Sequence, residues 1–321
     1  MWLCVSAAPA RAAPVEEGYL LSDDGLKIFY QKAGDGPQVV ILPGGLFLFQ
    51  DFQKLAKGRT LIFYDMRNRG RSQRVEDASA ITIENDVRDL EAVRRHFGVK
   101  KFSAVGYSYL GMMVVLYALD HLEHVERLVQ IGAVPLKWNT EYPPELRGPR
   151  WESAMNPEKL AELRQLREQG YDVREPKDYC KKEWAVTRYT LVGDPAEVDR
   201  LGPGPCEYPN EWPVNFQRHL EAHFVGSVQK LDIPRERVRK VRVPVLTIHG
   251  TMDRNAPYGA GREWATLLPN ARLVTVKGGA HQVWVDEPAV LEWIDEFLTG
   301  RWPKTAKKVA SRENLLGLSR P

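Results

Sequence analysis

Phe102-Ser103-Ala104-Val105-Gly106-Tyr107-Ser108-Tyr109-Leu110-Gly111-Met112-Met113-Val114-Val115-Leu116 is the stretch on which the fold is read. Phe102 to Val105 is a short apolar run suited to a strand buried on both faces, and Tyr109 to Leu119 is apolar enough for a buried helix. A serine therefore stands on the turn from strand to helix. Such a turn is tight. It needs small neighbours, lifts the hydroxyl above the sheet, and brings the free N–H groups of a helix start beside it. A small-x-Ser-x-small pattern is common by chance, and here Leu110 fills the second small position, with Gly111 one residue later. The strand-to-helix context gives it chemical meaning and makes Ser108 the candidate nucleophile.

Working outward, Leu26 to Ala33 alternates in and out after an Asp24-Gly25 turn, which predicts an early hairpin. Val39 to Leu42 and Leu61 to Tyr64 are short apolar runs that stop at Pro43-Gly44-Gly45 and at Asp65. Ile83, Val87, Leu90, Val93 and Phe97 recur at helical spacing, with Thr82 as N-cap and Gly98 as the stop. Leu128 to Ile131 is the next strand. From 136 to about 240 the strand rhythm is gone: Pro and Gly punctuate helical stretches such as Pro157 to Gln169, among Trp138, Trp151, Trp184 and Trp212. Alternation resumes with Val243 to His249, Arg262 to Leu268, Ala271 to Val276 and Pro288 to Leu298.

The fold class is therefore α/β, with a mainly parallel sheet and right-handed crossovers. The expected division is a core of 18–135 and 241–300, a helical insertion of 136–240, an N-terminal segment of 1–17, and a basic tail of 301–321. Arg301, Lys304, Lys307, Lys308 and Arg312 of that tail read as a solvated terminus.

Composition narrows the function. The 321 residues carry 45 basic and 42 acidic side chains for a net charge of +3, spread along the chain. Nucleic-acid binding, which needs clustered Lys and Arg, gains no support. No run of roughly 18 apolar residues could span a membrane. Trp2 to Ala8 followed by Ala10-Arg11-Ala12 resembles an export signal but lacks a basic start, so an exported and a cytoplasmic protein both remain open. Cys180 and Cys206 would bridge in an oxidising compartment and stay free in a reducing one. No Cys-x-x-Cys spacing is present, the four-apart pair His219 and His223 reads as a surface or core feature rather than a metal site, and no cofactor is called for.

A serine hydroxyl needs a base, and histidine suits that work. Of seven histidines, His281 lies in Gly278-Gly279-Ala280-His281, a loop after the last strand, where sites of parallel sheets assemble. His96 falls on the charged side of a helix, His121 and His124 at a helix end, and His249 in buried packing. His219 and His223 could share one helix face, in a surface or core role. The base needs a carboxylate to hold its tautomer. Asp253, after the strand and turn Val243 to Gly250, fills that part, since Ile131 to Leu136 offers no acid. Asp286 is the rival, read instead as a helix N-cap before Pro288. Gly45, with Leu46 as alternative, and Tyr109 are the candidate backbone N–H donors of an oxyanion hole.

Pro43-Gly44-Gly45, Asp65-Met66-Arg67-Asn68-Arg69-Gly70-Arg71-Ser72, the Ser108 turn, Gly250-Thr251-Met252-Asp253 and Gly279-Ala280-His281 together resemble the ordered landmarks of the α/β-hydrolase superfamily. Within it the chain is similar to the prolyl aminopeptidase-like and esterase-like branch with a helical cap. That resemblance implies an eight-stranded sheet flanked by helices, a Ser-His-Asp triad working without cofactor, and an acyl-enzyme resolved by water. Pro43 and Leu46-Phe47 depart from the aminopeptidase oxyanion stretch, and Gly-Tyr-Ser-Tyr-Leu departs from its serine turn. Hydrolysis of a small carboxylic ester is therefore the leading expectation. Release of an N-terminal residue from a short peptide is the second, with Glu141, Glu145, Glu183, Glu207 and Glu211 as candidate ammonium holders. A non-catalytic ligand-binding protein on the same fold is the third.

Overall fold

Eight strands form one sheet in the order β1-β2-β4-β3-β5-β6-β7-β8. They are β1 Val15–Leu21, β2 Lys27–Ala33, β3 Gln38–Pro43, β4 Arg59–Tyr64, β5 Phe102–Tyr107, β6 Val125–Ile131, β7 Val245–Gly250 and β8 Ala271–Val276. The computed structural model describes residues 15–309, so the export-signal motif and the end of the basic tail lie outside the described residues. β1 and β2 form the expected hairpin, and β2 also runs antiparallel to β4; all remaining pairs are parallel. β1 starts at Val15, inside the segment that sequence set apart as 1–17.

Short apolar runs make these strands because both faces are covered. Along β3 and β4 the side chains alternate between two cores: Ile41, Ile62 and Tyr64 join one, and Val40, Leu42, Leu61 and Phe63 join the other. The first core lies under α2 (Ile83–His96) and α3 (Tyr109–Asp120). Thr82 caps α2 as expected, its side chain accepting from Asn85 N, and Gly98 turns the chain away at φ 62°. A helix not anticipated, α1 (Gly45–Phe52), begins directly after β3. Its N-cap Gly44 has φ 79°, and a Cβ there would stand 2.7 Å from Leu110 Cδ1. Leu110 is accommodated because Gly44 has no side chain.

The chain leaves β3 for β4 on one side and returns to β5 on the other. The crevice between the carboxyl ends of β3 and β5 is thus the switch point, where α/β sheets bind ligands. Between β6 and β7 the described segments are helices and turns, as the broken rhythm predicted, and a disulfide joins Cys180 to Cys206 there. The tail departs from expectation over its described part. Ala306 is buried, and Lys307 pairs with Leu273 of β8, exchanging both backbone hydrogen bonds, so this part docks on the sheet edge instead of lying free in solvent. Among the described residues no helix is long and apolar enough to cross a membrane.

Candidate active site

Ser108 stands between β5 and α3 at φ 59° and ψ −130°, a conformation that non-glycine residues seldom adopt. Such strain costs on the order of 1–3 kcal/mol and persists only where surroundings enforce it. They do: Ser108 N donates to Ile131 O at 2.8 Å, and Gly111 N donates back to Ser108 O at 3.0 Å. A Cβ on Gly106 would stand 2.2 Å from Leu110 O, so only glycine admits so sharp a turn.

His281 and Asp253 meet at 2.8 Å, Nδ1 to Oδ2, with both side chains buried. A carboxylate facing Nδ1 fixes the proton there and leaves Nε2 as the basic nitrogen. Asp253 Oδ1 accepts from the amides of Asn255 and Ala256 at 2.8 and 2.9 Å. Burial alone would raise this carboxyl, but the charge and hydrogen bond of His281 and the bond from His249 outweigh it and hold it far below the usual range. The two loops that bring the pair together are themselves joined, Met252 N donating to Gly279 O and Thr251 N to Val276 O.

Neighbours of Ser108 in the chain and in space lie against this pair. The Tyr107 ring lies 4.7 Å from the His281 ring, centre to centre, and Gly132, next after the Ile131 that holds Ser108 N, lies against both His281 and Asp253. No hydrogen bond links the Ser108 hydroxyl to His281 among the described residues. Bonds of this kind are often long before substrate binds.

Gly45 and Tyr109 are the first residues of α1 and α3, so neither amide has an acceptor within its helix. The Leu46 amide is engaged, donating to Asp65 Oδ1 at 2.7 Å, whereas the Gly45 amide has no hydrogen-bond acceptor among the described residues. Two helix N-termini thus converge on the end of the sheet.

Several residues play parts that sequence did not reveal. His249, expected as packing, is buried; its Nε2 donates to Ala256 O at 3.0 Å and lies 3.4 Å from Asp253 Oδ2. Asp286 is not a helix cap. Its two oxygens accept from Gly193 N and Ala280 N, because the chain turns back after Val283–Asp286 and points the carboxylate at the residue before His281. His219 and His223 stack at 4.9 Å, and His223 Nε2 meets Asp86 Oδ2 at 2.6 Å, a buried seam between insertion and core. Burial, with Arg69 and His223 nearby, holds His219 well below the ordinary imidazole range. Among the described residues no group of three His, Cys, Asp or Glu is placed to hold a metal ion.

Of the five acids considered as ammonium holders, Glu211 is taken by Arg69 at 2.8 and 2.7 Å, and Glu207 by Lys177 and Lys181. Glu141 and Glu145 are exposed. Glu183 is half-buried, and burial raises its carboxyl.

A family model described as the alpha/beta hydrolase fold matches residues 37–288. A bifunctional esterase/perhydrolase of Acinetobacter calcoaceticus is 28% identical over 278 residues, covering 82% of this chain and 92% of that one. A proline iminopeptidase of Saccharolobus solfataricus is 24% identical over 318 residues, covering 88% and 92%. Among solved structures, a serine hydrolase of Cycloclasticus zankles superimposes with a TM-score of 0.65 at 18% identity, covering 89% of this chain and 99% of that one. An esterase of Exiguobacterium antarcticum gives 0.63 at 17% identity, covering 88% and 99%. At such identities the structures speak for the fold alone.

Proposed function

The chain belongs to the α/β-hydrolase family, and from that premise we propose that it is a serine hydrolase cleaving small carboxylic esters through an acyl-enzyme. The observation that carries this reading is the strained Ser108 at the head of α3, on the same edge of the sheet as a buried His281–Asp253 pair that follows β7 and β8. In the proposed reaction His281 Nε2 takes the Ser108 proton as the hydroxyl attacks the ester carbonyl. Asp253 stabilises the imidazolium, and the Gly45 and Tyr109 amides receive the oxyanion. The C–O bond to the alcohol breaks and the leaving oxygen takes the proton from His281. Water, deprotonated by the same nitrogen, then attacks the acyl-serine; the bond to Ser108 Oγ breaks, His281 returns the proton to that oxygen, and the acid leaves.

Residues 136–240 would act as a cap over the core of 18–135 and 241–300. A cavity of about 240 Å³ between α1 and this segment is lined by Gly45, Phe47, Phe49, Trp184, Tyr208 and Gln282. That lies below the usual range for drug-sized ligands, and Gly45, a proposed oxyanion donor, is on its wall. The Cys180–Cys206 bridge supports an oxidising compartment and so an exported protein.

Ester is preferred to peptide because the Glu211 and Glu207 carboxylates already hold cations. Glu183, half-buried and without an ion pair among the described residues, keeps the aminopeptidase reading alive as the second one, alongside the similarity to proline iminopeptidases. The test is a series of p-nitrophenyl esters from acetate to octanoate beside proline p-nitroanilide, run on wild type, Ser108→Ala and Glu183→Gln. Rapid ester turnover lost in Ser108→Ala and unchanged in Glu183→Gln is expected; faster release from the proline anilide, lost in Glu183→Gln, would reverse the assignment.

A further inference from the structure

The turn after β4 is gripped from two sides. From the core, Asp65 accepts from Leu46 N at 2.7 Å through Oδ1 and from Arg71 N at 2.9 Å through Oδ2. From the insertion, Glu211 accepts from Gly70 N at 2.9 Å and pairs with the Arg69 guanidinium at 2.8 and 2.7 Å. Its neighbour Asn210 donates to the carbonyls of Gly70 and Ser72 at 3.1 and 2.8 Å. Successive amides, Gly70 and Arg71, are therefore held by carboxylates belonging to the two opposed parts of the protein. Gly70 has φ 50°, and a Cβ there would stand 2.4 Å from Asp65 Oδ2, so the turn closes on that carboxylate as only glycine allows.

The same carboxylate reaches the site. Gly44 N is tied to Tyr64 O at 2.9 Å and Leu46 N to Asp65, so the free amide of Gly45 is bracketed by two neighbours fixed to successive residues, 64 and 65. Asp65 and Glu211, the two carboxylates on this line, are both buried. We propose that Asp65 and Glu211 are positioning residues that couple docking of the insertion to the oxyanion-binding amide of Gly45. The proposal rests on the acyl-transfer reading for the role of that amide. When the insertion lifts, Gly70 N loses its acceptor and Arg69 its partner. The turn that aims Asp65 at Leu46 is then released, and the donor loses its fixed direction. An oxyanion donor helps only while pre-aimed, so the loss falls on the chemical step and not on substrate binding.

The experiment compares Asp65→Asn, Glu211→Gln and Asn210→Ala with wild type. Glu207→Gln, an exposed acid of the same insertion paired to surface lysines, serves as control. Removing a full oxyanion donor costs about 100- to 1,000-fold in kcat. Asp65→Asn is expected to lose about 100-fold, and the two insertion variants about tenfold, with KM for a short p-nitrophenyl ester within about twofold of wild type. Hydrogen exchange of the segment 44–48 should quicken in all three and stay unchanged in Glu207→Gln. Asn210→Ala leaves no charge unpaired and so keeps the test readable if Glu211→Gln fails to fold. Wild-type kcat in folded Asn210→Ala, a loss confined to KM, or unchanged exchange in 44–48 would overturn the coupling. If wild type cleaves no ester while Asn210→Ala still speeds exchange, the acyl-transfer reading falls and the mechanical coupling stands.

Discussion

Gly132 packs directly beneath His281: a Cβ on it would stand 3.0 Å from the imidazole Nδ1 and 3.1 Å from Asp253 Oδ2. Its φ of 54° also suits glycine. Gly132→Ala should therefore do two things. Backbone strain should lower stability by about 1 kcal/mol or more, and the methyl should push imidazole and carboxylate apart. We expect kcat on the best ester to fall at least about tenfold, the size of effect a small displacement of reacting groups produces. Thermal melting and ester kinetics on one preparation check both; a variant that melts lower but keeps wild-type kcat would show that the contact serves folding only.

The three proposed reacting groups should differ in how much each removal costs. Ser108→Ala should abolish turnover and labelling by a fluorophosphonate probe. Asp253→Asn should keep the fold but lose about 10⁴-fold in kcat, because the amide favours the wrong imidazole tautomer. His249→Gln removes a weaker contact, 3.4 Å from Asp253 Oδ2, and should cost about tenfold or less. Equal losses for His249→Gln and His281→Gln would mean that the base has been misassigned.

Why some of this was legible and some not follows from the range of the interactions. Thr82, Gly98 and the apolar runs of β3, β4 and β5 act through neighbours within a few residues, so periodicity exposed them. Ser108 and His281 stood out as candidates because each sits on a glycine-marked junction with a strand. Asp65 carries a strand-end signal too, but its work depends on Leu46 and Arg71 amides that only the folded chain brings together. Asp286 was misread for the same reason: Pro288 suggested a local cap, while its real partners are residues 193 and 280. Gly132 was not singled out in the sequence, because nothing local marks the imidazole above it.

Asp65 predicts a pH signature. Burial pushes its carboxyl up to about 6, with the Arg71 and Leu46 amides and the Arg71 charge opposing that rise and Glu211 adding to it. Protonation places an O–H against one of two N–H donors, so the wild-type acid limb of kcat should steepen below about pH 6. Asp65→Asn should show a shallower limb. Stability runs the other way. A folded pKa above the unfolded 3.8 contributes stability present at low pH and lost as pH rises through about 6. The difference in unfolding free energy between wild type and Asp65→Asn should therefore shrink from pH 4 to pH 8, by up to about 3 kcal/mol. Asp253 has the opposite sign: its depressed pKa contributes stability present above the unfolded value and lost only in strong acid, outside this window. Parallel acid limbs in the two proteins would remove Asp65 from the pH dependence.

The Cys180–Cys206 bridge makes a prediction that separates cap from chemistry. It joins the helix Pro176–Thr187 to the segment 201–208 across 26 positions, and both lie on the cavity beside α1. The fit there is close: a Cβ on Gly204 would stand 2.6 Å from the Trp184 indole. In the chain-entropy picture a loop of this length is worth about 3.5 kcal/mol, which strain or residual structure can reduce. Reductant, or Cys180→Ala with Cys206→Ala, should lower the melting temperature and loosen Trp184 against Gly204. KM for short esters should rise severalfold, while phosphonylation of Ser108 by a small probe keeps its rate. Among the described residues no hydrogen bond joins Ser108, His281 or Asp253 to either cysteine. A reduced enzyme whose kcat collapses at unchanged KM would place the cavity wall inside the reacting machinery and refute the division of labour proposed for the two parts of the chain.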